Sequence, residues 1–273
     1  MKPVKIIPST PAMDGAGVSI KRISGAHLHP LIDPFLMVDE IHSDNREDYM
    51  AGFPSHPHRG FETITYLRKG KMQHEDHLGN RRLMTDGGVQ WMTTGRGIIH
   101  SEMPLQTEGL FHGFQIWLNL PSELKMTAPD YHDLPPEALT QLDIDGGKAT
   151  LIAGDLILNA RPVTAARLTE SRTQPIIADI ELQAGAEASI QVPQETNLMI
   201  LVYNGSEANI PQSHMGIFNA GRAMLSATTD LKALILAGQR LKEPVFQYGP
   251  FVMNSEAEIR EAIEDFSTGQ LTA

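Results

Sequence analysis

The sequence predicts an all-β protein of two barrel- or sandwich-type domains in tandem, with a C-terminal α-helix. Three observations carry this. The apolar runs are short, of strand rather than helix length. Turn signals recur between them. Helical periodicity with a capping signal stands out at one place, near the C-terminal end of the chain.

In chain order the apolar runs are Phe61 to Leu67, Phe114 to Leu120, Ala149 to Ala153, Pro175 to Leu182, Asn197 to Tyr203 and Leu231 to Ala237. Thr63-Ile64-Thr65-Tyr66-Leu67 is rich in the β-branched and aromatic residues that suit a pleated surface. Leu78-Gly79-Asn80, Asp86-Gly87-Gly88, Asp145-Gly146-Gly147 and Asn204-Gly205 supply turns. Ser255 and Glu258 form a capping-box pattern, and Ile259, Ala262, Ile263 and Phe266 follow on one helical face. Gly269 is placed to stop that helix. Pro135-Pro136 and the polar stretch after it mark a boundary, which gives domains 1–135 and 136–273, the helix ending the second.

Composition excludes several classes of function. At 273 residues, 41% hydrophobic and 20% charged, the chain reads as an ordinary globular protein of one large or two ordinary domains. A net charge of −11 argues against non-specific binding to nucleic acid or to an anionic membrane. The chain has no cysteine, which removes disulfides, thiolate metal sites and cysteine nucleophiles. The first residues lack the apolar core of a signal peptide, and no apolar run reaches the roughly 18 residues of a membrane helix. The expected location is cytoplasmic. Phosphate-loop, dinucleotide-binding and nucleophile-elbow motifs are missing from the sequence.

Ten of the eleven histidines lie in the first half, and only His214 lies in the second, so the second domain is expected to hold no metal. In the first half, His56 and His58 are two apart, and so are His100 and Glu102. Residues two apart on a strand share a face, so each pair can look into one cavity. If the two strands are neighbours, three imidazoles and a carboxylate converge, a set that suits a first-row transition metal with room left for substrate. A lone His-x-His arises by chance on surface strands; two such pairs in a β-rich chain are more specific.

His56-Pro57-His58 followed by Glu62 resembles the first cupin motif, and Gly95-Arg96-Gly97-Ile98-Ile99-His100 resembles the second. The likeness narrows to the pirin family. Asp33-Pro34-Phe35-Leu36, Phe53 to Thr63, His74-Glu75-Asp76, Gln90-Trp91-Met92-Thr93, Gly95 to Pro104, His112 to Trp117 and Tyr248 to Asn254 all look like pirin motifs. The resemblance runs from about residue 15 to the C-terminus and is loose between 140 and 235. It implies two cupin barrels of the double-stranded β-helix or jelly-roll type, with one divalent metal in the first. Iron(II) is the metal implied, and Mn, Ni, Co, Cu and Zn are chemically compatible. It further implies a quercetin 2,3-dioxygenase-like oxidoreductase acting on a flavonol-like aromatic substrate and O2, releasing carbon monoxide and a depside ester. Other family members are regarded as regulators that bind a transcription factor or a metabolic enzyme, so a metal-containing interaction protein without turnover is the alternative.

The carboxylate ligand has two candidates. The general cupin pattern selects Glu62; the pirin-like His100-Ser101-Glu102 selects Glu102. Strand parity admits both, and the family pattern favours Glu102. Glu62 would then orient a histidine through its other ring nitrogen. Either carboxylate is a candidate to accept the substrate's proton. His74 and His77, beside the Gly79-Asn80 turn, read as a solvated hairpin end. His112 shares parity with Phe114 and Ile116 and reads as core or cavity. Arg59 reads either as an anchor for a substrate oxygen or, the favoured reading, as a structural ion pair with a carboxylate. Phe53, Trp91, Met92 and Phe114 read either as pocket wall or as core.

Overall fold

A computed structural model describes residues 2–25, 27–106, 108–166, 173–219 and 221–273. The chain forms two compact units, and each is built on a seven-stranded and a four-stranded sheet. Alternating in/out side chains on paired sheets give each unit an apolar interior.

One unit comprises Thr10–His29, Phe35–Pro136 and Lys242–Ala273. Its larger sheet runs in the order Asp130–Leu134, Gly88–Thr93, Phe61–Lys69, Phe111–Asn119, Phe35–Ser43, Val18–Ser24, Thr10–Asp14. Its smaller sheet runs Phe53–His58, Ile98–Pro104, Met72–Asp76, Arg81–Met84. The strand pairs in both are antiparallel. Val18, Ile20, Ile41, Leu67, Met72, Met84 and Phe111 pack one end of the interior. Leu36, Phe61 and Val252 form a further apolar cluster, with Trp117 packed against it.

The C-terminal helix, Glu256–Ser267, belongs to this same unit. Ser255 caps it, with Glu258 N–H donating to Ser255 Oγ at 3.3 Å. Ile259 and Ala262 pack on Ile99, Phe251, Met253 and Leu271. The expected apolar stripe is therefore half right, because Ile263 and Phe266 stay 38% and 44% exposed. Gly269 takes the left-handed φ of +74° that ends the helix.

The other unit holds the residues up to Ser9, Pro30–Pro34 and Glu137–Leu241. Lys5–Pro8 adds an edge strand to its larger sheet by pairing with His214–Phe218. Its core is aliphatic, with Leu151, Ile180, Ile200, Leu225 and Ile235 fully buried. Among the described residues, no cluster able to hold a metal lies in this unit.

The expected cut between 135 and 136 needs correction at both chain ends. The N-terminal strand joins the unit built on the second half, and the C-terminal helix joins the unit built on the first. Long-range partners decide this: the Lys5–Pro8 ladder on one side, and on the other the Val252 N–H donating to Arg59 O at 3.1 Å. No local signal in the sequence encodes either pairing. None of the helices is long and apolar enough to cross a membrane, among the described residues.

Candidate metal centre

The strands Phe53–His58 and Ile98–Pro104 are neighbours, with His100 directly opposite His56 and Ile98 opposite His58. Two-residue alternation on each strand then brings three imidazoles to one point. His56 Nε2 lies 2.9 Å from His58 Nε2 and 3.0 Å from His100 Nε2.

Each ring is anchored through its other nitrogen. His56 Nδ1 donates to Pro54 O at 2.8 Å, and His58 Nδ1 to Pro250 O at 3.3 Å. His100 Nδ1 faces His74 Nδ1 at 3.5 Å, and His74 Nε2 in turn meets Asp76 Oδ2 at 3.1 Å. With Nδ1–H committed to these acceptors, the lone pairs of the three Nε2 atoms face one another. Burial, then the neighbouring imidazoles, holds His58 and His100 well below the usual histidine range, so both rings are neutral at pH 7.

Three converging lone pairs call for a shared electrophile. Two nitrogens bound at 2.0–2.1 Å to one ion and at right angles to each other stand about 2.9 Å apart, the spacing seen here. The donor set therefore fits a divalent transition metal.

Glu102 is buried in the same cavity. Gln115 Nε2 donates to its Oε2 at 3.0 Å, and the Thr65 hydroxyl lies 2.8 Å from its Oε1. The atoms grouped closely enough to share one ion are those of the three histidines, and Glu102 is not among them.

Glu62 is not brought to the cluster, and its expected role is corrected. Gly60, at φ +93°, turns the chain between Phe53–His58 and Phe61–Lys69, so the parity of His58 does not carry through. Phe61 packs on His58, and Thr65 reaches Glu102, so the odd residues of Phe61–Lys69 face the cavity. Glu62 faces the other way and accepts from Thr93 Oγ1 at 2.8 Å.

His74 is corrected too. It is 1% exposed, stacks against Tyr131 at 4.5 Å and supports His100, whereas His77 is exposed as expected. Sequence parity contained the clue, since His74 is two residues from Asp76 on a strand that pairs with Ile98–Pro104.

A second cluster joins Glu40, His42 and His112. His112 Nε2 lies 3.2 Å from Glu40 Oε1, and the His42 and His112 rings stack at 4.3 Å with planes 15° apart. Near-parallel rings cannot both aim an in-plane lone pair at one ion, and His42 is exposed, so the cluster does not read as a metal site. Arg59 pairs with Asp265 at 2.7 Å. Trp91, Met92 and Phe114 are core, while Phe53 lines the cavity together with Trp117 and with Arg22 and Asp39, two residues that carried no motif.

The pirin family model matches residues 17–118, and the model for the pirin C-terminal cupin domain matches 177–272. A Pseudomonas aeruginosa protein named "Putative quercetin 2,3-dioxygenase" is 44% identical over 270 residues, spanning 96% of this chain and 94% of its own. A Caulobacter vibrioides pirin-like protein is 38% identical over 276 residues and 99% of each chain. A solved quercetin 2,3-dioxygenase from Acinetobacter baumannii superposes with a TM-score of 0.89 at 32% identity, over 100% of this chain and 98% of that one. The metal-ready histidine cluster thus sits in a fold matched along its whole length, and the chain belongs to the pirin family of two-cupin proteins.

Proposed function

We propose that this protein is a metal-dependent dioxygenase that opens flavonols such as quercetin with O2, and that Fe(II) is its metal. The carrying observation is the convergence of three imidazole nitrogens beside an open cavity of about 780 Å³ that His56, His58 and Glu102 line. The names of similar proteins agree with this chemistry.

His56, His58 and His100 would hold the ion, with Glu102 as fourth ligand or adjacent base. When bound, the ion supplies Lewis acidity toward the flavonol hydroxyl and a redox partner for O2. The chain's own groups do the rest. Phe53, Met37 and Trp117 offer apolar and aromatic surface to the fused rings. Glu102, oriented by Thr65 and Gln115, accepts the hydroxyl proton as the enolate forms. The overall conversion of flavonol plus O2 to a depside ester plus CO balances without a further co-reactant.

The competing role, a metal-bearing interaction protein without turnover, would have no use for an open cavity beside the ligand set. The test is carbon monoxide release from quercetin by Fe(II)-loaded protein under O2, against free Fe(II) and against His58→Ala. Release above free iron that is lost in the variant supports the dioxygenase. Release no greater than free iron sinks it and leaves the regulatory role.

A further inference from the structure

The cavity wall carries a second polar group, one strand beyond the Gln115 that holds Glu102. On the larger sheet Thr65 pairs with Gln115, Gln115 with Asp39, and Asp39 with Arg22. Direct partners share a face, so these four form one polar row across four strands. Gln115 holds Glu102 at one end of the row. Asp39 stands one strand further on, about 4.8 Å away.

Asp39 is only 3% exposed and forms part of the cavity wall. Arg22 clamps it with two donors, Nε to Oδ1 at 2.8 Å and Nη2 to Oδ2 at 2.5 Å, and Arg22 also bonds Asp14. A plain strut between strands would explain one such ion pair, but two features of this wall exceed a strut. First, among the described residues Arg22 is the only Lys or Arg lining the cavity, against the carboxylates of Asp14, Asp39 and Glu102. This wall therefore repels anions and accepts hydrogen bonds. Second, a carboxylate offers about four lone-pair sites, and Arg22 uses two of Asp39's. Burial lifts Asp39 to about 6 in spite of Arg22, so the carboxylate is under-solvated and gains from a further donor.

We propose that Asp39, clamped by Arg22, is a hydroxyl-recognition subsite that selects uncharged aromatic substrates bearing a free hydroxyl on the ring remote from the histidines. This rests on the dioxygenase reading and names the substrate feature that site prefers. The subsite positions the substrate and takes no part in the bond changes.

The test is an anaerobic titration of Zn-loaded, redox-silent protein with two probes: quercetin, and a flavonol lacking hydroxyls on its pendant ring. A hydrogen bond to a charged acceptor predicts that quercetin binds about 10- to 100-fold tighter. Two variants should bring that ratio close to one. Asp39→Asn keeps the shape; Arg22→Met with Asp39→Leu removes both charges together, so that neither is left buried alone. The rim variant Asp14→Asn should keep the preference. Equal affinity of the wild type for both flavonols overturns the subsite without any variant. So does an undiminished preference in the folded double variant, which would leave the ion pair a strut. If the wild type binds neither flavonol, the dioxygenase reading falls first and the subsite with it.

Discussion

His74 Nδ1 lies 3.5 Å from His100 Nδ1, and the far side of the His74 ring meets Asp76 Oδ2 at 3.1 Å. Asp76 is itself fixed by the Asn80 amide at 2.8 Å and by the Leu78 and Asn80 N–H groups. The chain Asp76–His74–His100 sets the tautomer that turns the His100 Nε2 lone pair to the cluster. Removing such a partner weakens metal binding by about 10- to 100-fold. His74→Phe should do this, read by competition with a metallochromic chelator. Unchanged affinity in a folded variant would show that His100 needs no partner.

The two glutamates should separate cleanly. Glu102→Gln should lower metal affinity or quercetin turnover, because its carboxylate shares the cavity with His56 and His58. Glu62→Gln should leave metal stoichiometry at the parental value, because Glu62 bonds Thr93 on the opposite face of its strand. Metal analysis after dialysis decides between them. The reverse order of damage would reinstate the general cupin assignment.

What was legible in the sequence was local. Strand alternation located His56, His58 and His100, and turn residues and a capping box located the hairpins and the helix start. What stayed hidden depended on partners far away in the chain. Glu62 was misread because Gly60 reverses the strand phase between two otherwise regular strands. His74 looked solvated because its cover, Tyr131, lies on a strand 57 residues later. Arg22 and Asp39 carry no motif and become a pair only through the register of Val18–Ser24 on Phe35–Ser43.

Arg59 tests how the C-terminal helix is held. Its side chain is buried, donates to Arg96 O and pairs with Asp265 on the helix at 2.7 Å. Asp265→Ala would leave the guanidinium unpaired. Breaking a fully buried pair costs about 3–5 kcal/mol; Asp265 is 30% exposed, so about 1–3 kcal/mol is expected. Thermal unfolding should show a lower Tm with metal content retained. An unchanged Tm would mean that Ile259 and Ala262 dock the helix unaided.

Lys125 offers the clearest pH signature. Its ammonium is buried and donates to Gly60 O at 2.7 Å, Asn119 Oδ1 at 2.6 Å and Val252 O at 3.0 Å, tying the C-terminal segment to the barrel. Burial pulls it down to about 7, partly opposed by Glu243 and Glu258. In the unfolded chain a lysine titrates near 10.4, so between about pH 7 and 10.4 the unfolded state binds more protons than the folded one. Stability owed to this group must then rise with pH across that window, by at most about 1.4 kcal/mol per unit. Below pH 7 both states are protonated and the dependence vanishes. Lys125→Met removes the titration and leaves three acceptors short of a donor, costing about 2–3 kcal/mol at pH 7. Denaturant unfolding of parent and variant at pH 7, 8 and 9 should show the gap between them widening with pH. A constant gap would mean that the three acceptors keep Lys125 charged and that burial has not moved its proton.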